Sequence, residues 1–290
     1  VYILPNYQNT YAGGNGIFGR ELTLYQWQPG QPEAWKALDG KYYPEYTEDE
    51  SWGPRMVGQE YIPWYAWYGG HERAYKTASL TPQPNNIKDF YNTGVTKINN
   101  VNFSKASDNY NIRLSYTNLD IDGLNPNSWL KKNTFNFNSS VDLSNHFSIS
   151  ANINYVNSKR NAENDDTYSN NSTGSFNQWF HRDIDVNILK ELRGLKTPTG
   201  IYASWNHDNP NHYDPNNEIA FYGAYYWMNP YTYADNVYNY SISDRFFGDA
   251  AVTYKANNDL KFRLTYRREQ FTSNIDNRGY QNLENSAGTA

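Results

Sequence analysis

The sequence predicts an all-β fold, part of a large antiparallel up-and-down transmembrane β-barrel with long external loops. Three observations predict it. Runs of about 9–12 residues alternate apolar and polar side chains, longer than the about 5–6 of a soluble strand and matched to the about 9–11 that cross a bilayer. The connections between runs alternate between short and long, as when turns share one side of a barrel and loops the other. The composition is aromatic and polar: 28 Tyr, 9 Trp and 13 Phe in 290 residues, with 38% hydrophobic and 19% charged residues. Both percentages lie below globular averages, which argues against coiled coils and helical bundles.

The strands follow in order. Tyr110, Ile112, Leu114 and Tyr116 share one face, opposite Asn111, Arg113, Ser115 and Thr117. A weaker strand precedes them from about Val95 to Ser104, where Ile98 breaks the pattern. A third sets Phe135, Phe137, Val141 and Leu143 against Thr134, Asn136, Asn138, Ser140 and Asp142. A fourth sets Phe147, Ile149, Ala151, Ile153 and Tyr155 against Ser148, Ser150, Asn152 and Asn154. The fifth opposes Ala250, Val252 and Tyr254 to Asp249, Thr253 and Lys255, and the sixth opposes Leu260, Phe262, Leu264 and Tyr266 to Lys261, Arg263, Thr265 and Arg267. Tyr at the ends of the apolar faces suits the aromatic girdles of a membrane barrel, and the polar faces suit a wet lumen.

Short turns are expected at Lys105–Asn109, Ser144-Asn145 and Asn257–Asp259; longer links at Ile121–Ser128 and from about Asn157 to Ser243. The chain thus divides into a loop region entering the barrel (1–94), four strands (95–158), a long external loop (159–243), two strands (244–270) and the start of the next external loop (271–290).

Several classes are excluded. A net charge of −5 disfavours nucleic acid as a partner. With no cysteine, there are no disulfides, Cys-ligated zinc or thiol chemistry. No apolar run reaches the about 18 residues of a membrane helix. Val1 to Pro5 do not read as a signal peptide.

Four stretches carry a family likeness: Leu4-Pro5-Asn6-Tyr7-Gln8-Asn9 with Tyr11-Ala12-Gly13-Gly14; Glu50 to Gln59 (ESWGPRMVGQ); Pro84 to Gly94 (PNNIKDFYNTG); and Asn111 to Tyr116 with Gly123, Pro126-Asn127-Ser128 and Lys131-Lys132-Asn133. In order and spacing they resemble the middle of the barrel of SusC/RagA-family TonB-dependent outer-membrane transporters. The resemblance implies an importer of large nutrients, glycans or peptides, in the cell outer membrane and without enzymatic activity. It implies a SusD-like surface lipoprotein as lid, energy from the TonB complex through an N-terminal region, outer-membrane lipid around the barrel, and no cofactor. Six strands are far short of the 22 of plugged transporters, so the chain is expected to be an internal fragment of a polypeptide about three times longer.

Candidate chemistry is sparse. Gly14-Asn15-Gly16-Ile17-Phe18-Gly19 matches G-x-G-x-x-G, but no helical pattern follows, so a glycine-rich loop is the better reading. His207, Asp208, His212 and Asp214 resemble metal ligands, but Pro210 and Pro215 argue against a helix, and no metal is assigned. Asp120, Asp122, Asn125 and Asn127 lack the calcium-loop spacing. Glu48-Asp49-Glu50 reads as a charge run rather than a catalytic pair. The aromatic clusters say more. Trp64, Tyr65, Trp67 and Tyr68 lie in one loop; Tyr225, Tyr226 and Trp227, with Tyr231 and Tyr233, lie in another. The first seven are the candidate substrate-binding residues, as rings on which sugars stack. Contact with a lid protein and packing of the loops against each other remain open. A soluble or surface-attached β-rich carbohydrate-binding module is the alternative function, and a secreted glycosidase a third.

Overall fold

The protein is described by a computed structural model, which covers residues 6–162, 176 and 179–279. Leu4 and Pro5 of the first family-like stretch lie outside the described residues. Among the described residues strands take 41% and helices 14%, so the β class holds. The chain forms two compact units. One lies within 1–91, 164–237 and 278–290, the other within 92–163 and 238–277.

The first unit has little regular structure. Two short ladders, β1 (Thr23–Leu24) with β2 (Tyr42–Tyr43) and β3 (Glu60–Tyr61) with β4 (Ala78–Ser79), are antiparallel. The helices α1 (Asn86–Phe90), α2 (Val186–Glu191), α3 (Glu218–Tyr222) and α4 (Pro230–Asn236) are each a turn or two. Their starts follow local chemistry. Asp185 accepts from the Asn187 amide at α2 (2.8 Å), and Asn229 accepts from the Tyr231 amide at α4 (3.0 Å), where Pro230 takes the first helical position.

Aromatic rings form the unit's core. Trp35, Trp67, Trp205, Tyr46, Tyr68, Phe90 and Phe221 are fully buried. Trp67 meets Trp35 and Tyr25 edge-on, both at 4.9 Å, the geometry that ring quadrupoles prefer. Three segments distant in sequence are tied by Arg182, itself buried. Its guanidinium donates to the Gln8 carbonyl (3.1 Å), the Pro84 carbonyl (3.1 Å), Asn9 Oδ1 (3.2 Å) and Asn86 Oδ1, and lies over the Tyr7 ring at 4.7 Å. At Gly53 an added Cβ would sit 1.7 Å from the Gly13 carbonyl oxygen, so only glycine fits there. Thus 6–94 and 179–237, expected as external loops without periodicity, are largely a folded body. Its core rests on rings from short turns, which leave no period to read.

The second unit is one six-stranded antiparallel meander in the order β10-β9-β8-β7-β6-β5. Its strands are β5 (Val95–Ser107), β6 (Tyr110–Asp122), β7 (Trp129–Asp142), β8 (Phe147–Asn161), β9 (Tyr238–Lys255) and β10 (Lys261–Arg278). The short turns close by side-chain chemistry. Ser144 Oγ accepts from the amides of His146 (3.2 Å) and Phe147 (3.1 Å), and Asn257 Oδ1 from those of Asp259 (2.9 Å) and Leu260 (2.8 Å). Asn127, with φ 61°, turns the β6–β7 link.

The strands run further than the alternation indicates. The expected long loop at 159–243 loses both ends to β8 and β9, and 271–278 is strand, not loop. The added residues include Lys159, Asn161, Ser241, Ser243, Ser273 and Asn277. Ladder hydrogen bonds are made by backbone, so polar side chains do not stop them.

Trp67→Ala should cost the first unit about 3–5 kcal/mol, read as a lower urea midpoint at unchanged m value. Trp52→Ala, at a site 57% exposed, should cost under about 0.5 kcal/mol.

Candidate functional site

The sheet separates its side chains by face, and the pattern then changes. Across the strands, Val101, Tyr116, Phe135, Tyr155 and Phe246 form one row. Phe103, Leu114, Phe137 and Ile153 form the next row on that face. Further along come Tyr110, Val141, Ile149 and Val252, and finally Phe147 with Tyr254. The first and last rows are eight residues apart on β8, Tyr155 to Phe147. That is about 27 Å along the strand.

This face is open. Leu114 is 47% exposed and Leu264 78%. Among the described residues of the sheet, Ala251 is the only buried hydrophobic residue. The opposite face carries Asn102, Ser115, Asn136 and Asn154 in one row and Ser104, Arg113, Asn138 and Asn152 in the next.

Beyond the Tyr116–Tyr155 row the apolar face turns polar and the other face becomes mixed. The formerly apolar face now shows Asn99, Asn118, Asn133, Asn157 and Asp244, then Lys97, Asp120, Lys131 and Lys159. The other face gains Ile98 opposite Leu119, and Ile121 opposite Leu130. Ile98 is therefore no irregularity; it belongs to the exchanged segment. The tyrosines at the boundary join both halves. Tyr116 Oη donates to Asn133 Oδ1 (2.7 Å), and Tyr155 Oη to Asp244 Oδ1 (2.5 Å). Each ring stays in the apolar row while its hydroxyl reaches the polar one.

The expected substrate-binding rings behave differently. Trp64, Tyr65, Trp67, Tyr68 and Trp227 are buried in the first unit, so the expectation of open ring faces is corrected for these five. Their polar tips are satisfied inside: Trp67 Nε1 donates to Tyr46 Oη (3.0 Å), Tyr68 Oη to the Tyr222 carbonyl (2.8 Å), and Trp227 Nε1 to Asp49 Oδ2 (2.5 Å). Tyr226 stays 47% exposed and Tyr225 half-buried, edge to face at 4.7 Å.

Asn206, fully buried, positions this pair. Its Oδ1 accepts from the amides of Tyr226 (2.8 Å) and Trp227 (3.0 Å), while its Nδ2 donates to the Tyr46 carbonyl (2.7 Å). One asparagine in an Asn-rich chain gives no sequence signal of this role. Close by are the carboxyls of Glu48 and Asp49, whose pKa values burial raises. Glu48 Oε2 accepts from Asn15 Nδ2 (2.7 Å). Tyr225 and Tyr226 thus offer a small aromatic surface, with the carboxyls of Glu48 and Asp49 near Tyr226.

The other motifs resolve into local structure. Gly14, Gly16 and Gly19 have φ of 132°, 83° and 71°, and Asn15 Oδ1 accepts from the amides of Ile17 (2.9 Å) and Phe18 (2.7 Å); this is a tight loop. Asp120 and Asp122 lie in β6, on the face exchanged to polar. Among the described residues no group of three or more His, Cys, Asp or Glu could hold a metal. His207 is fully buried, its ring nitrogens against the carbonyls of Asp208 (2.7 Å) and Trp64 (3.1 Å). His212 Nδ1 meets Asp208 Oδ1 at 2.9 Å on the surface. No family model matches the sequence, and no curated protein matches it.

Burial pushes the His207 pKa down from 6.5 to about 4, against the opposing pull of the two carbonyls and Asp208. The unfolded chain therefore binds a proton below pH 6.5 that the folded chain takes up only near pH 4. The stabilisation is complete above pH 6.5 and lost on acidification to pH 4, by about 3 kcal/mol. Urea titrations of the parent and His207→Gln across pH 4–7 should differ by this slope, and parallel curves would contradict it.

Proposed function

We propose that the six-stranded sheet is part of a transmembrane β-barrel in an outer membrane, and that the chain works as a segment of a SusC-like, TonB-dependent importer of large nutrients, glycans or peptides. A SusD-like surface lipoprotein is the lid in this reading. The observation that carries it is the uncovered apolar band, rimmed by tyrosines, on strands of 13 to 18 residues whose other face is polar. In water that face costs free energy, about 25 cal/mol per Å². In lipid it does not.

Further support comes from the connections: short turns at one end of the meander, longer links at the other. Among the described residues β5 and β10 each present one unpaired edge. Lipid tolerates no such edge, so a barrel needs more strands than these. The likeness to the SusC/RagA family supplies cargo class and partners. Binding and passage, rather than a reaction, are the chain's work in this reading. The soluble-module alternative suits the first unit, with its own aromatic core, but leaves the sheet's apolar face without a purpose.

Leu114 and Ser115 make a paired test. Leu114→Arg places a charge within the band and should cost about 2–4 kcal/mol on insertion into lipid vesicles. Ser115→Arg points to the polar face and should insert like the parent. Gel mobility of unheated against boiled samples reads the inserted fraction, and equal behaviour of the two variants would overturn the lipid-facing assignment.

A further inference from the structure

Near the long-link end of the sheet, on the face opposite the band, lies a groove of about 770 Å³ formed by β6 to β10. Its lining holds three cations, Lys132, Arg160 and Arg245, and no carboxylate, in a chain whose net charge is −5. The register explains the cluster. Lys132 pairs with Ser158, and Ser158 with Ser243; Arg160, two residues beyond Ser158, is the diagonal neighbour of Lys132. Diagonal neighbours on one face are about 7–8 Å apart, within reach of long side chains.

Arg245 is neutralised by Glu269, at 2.6 and 2.9 Å. The side chains of Lys132 and Arg160 make no ion pair or hydrogen bond among the described residues. The groove thus presents two cations to which no carboxylate of the described residues is paired. Around the two cations stand the hydroxyls of Ser158 and Ser243, and the ring of Phe271, 62% exposed, forms part of the wall.

We propose that this groove binds an oxyanion (carboxylate, sulfate or phosphate) carried on a hydroxyl-bearing ligand. Arg160 presents a planar fork to two anion oxygens and Lys132 a point charge beside it. The serine hydroxyls take the ligand's neutral polar groups, and the Phe271 ring offers a flat apolar contact. The inference goes beyond the importer reading and does not require it, since all of its residues belong to one sheet.

The test is titration calorimetry on the full native polypeptide in detergent micelles. The probes are a sulfated dextran oligosaccharide, its unsulfated parent and inorganic sulfate. The sulfated chain should bind at least about tenfold more tightly than either of the others, as a lost charge-assisted contact is worth about a decade, and should weaken with added salt. The double variant Lys132→Gln/Arg160→Gln should lose at least that factor. Lys159→Gln, next in sequence but on the opposite face, should bind like the parent. Equal binding of the unsulfated chain or of free sulfate, an unaffected double variant, or an equal loss in Lys159→Gln overturns the proposal. Vesicle insertion of Leu114→Arg is read separately, so the importer reading and this site can fail independently.

Discussion

A β-ladder satisfies its own backbone but cannot cover its own side chains. In the sheet from β5 to β10, most residues on one face of the central rows are apolar, with Lys105, Ser139 and Gly248 among the exceptions, and that face stays open. Ladder hydrogen bonds contribute only about 0.5–1.5 kcal/mol each in water, and burial, the dominant favourable term in folding, is nearly absent from this unit. An exposed apolar face of this kind carries a free-energy cost in water. The strand lengths, the tyrosine rims and the polar opposite face are consistent answers to this one constraint.

The first unit meets the opposite requirement. It has almost no ladder, so its turns depend on side chains to satisfy the backbone. Asn206 serves four backbone groups of two distant segments. Arg182 ties two distant segments to its own while spending its charge on neutral oxygens and a ring. Removing such a partner leaves several buried polar groups unsatisfied at once, which is costlier than the mean worth of the bonds. The aromatic richness has its physical use here: Trp and Tyr fill volume and also carry one polar handle, as Trp67, Tyr68 and Trp227 show.

What the sequence discloses follows from these two regimes. The six strands were legible because period-2 alternation is imposed by the central rows. Their outer ends were not, because beyond Tyr116 and Tyr155 the apolar face turns polar and the other face becomes mixed. Ile98 looked like an error for that reason. In the first unit, clusters such as Trp64 to Tyr68 were visible as aromatic, but their burial depended on partners such as Tyr46, Tyr222 and Asp49 that lie far away in sequence. Of the expected binding rings only Tyr225 and Tyr226 keep accessible surface, and the residue holding them, Asn206, has no local signature.

The change of pattern also explains how the register is held. A slip of one residue between neighbouring strands would move every apolar side chain of the band to the polar face. In a uniformly alternating strand a slip of two would preserve the pattern. Here it would not, because Tyr116 and Tyr155 would lose Asn133 and Asp244, and Ile98 would no longer stand opposite Leu119. The boundary row thus acts as a ruler along each strand. It fixes where the apolar band ends, and so where the charged rows of Lys97, Asp120, Lys131 and Lys159 begin. Short turns built on Ser144 and Asn257 hold the other end to the same count. A strand anchored at both ends in this way can carry polar residues far past the band without losing its place.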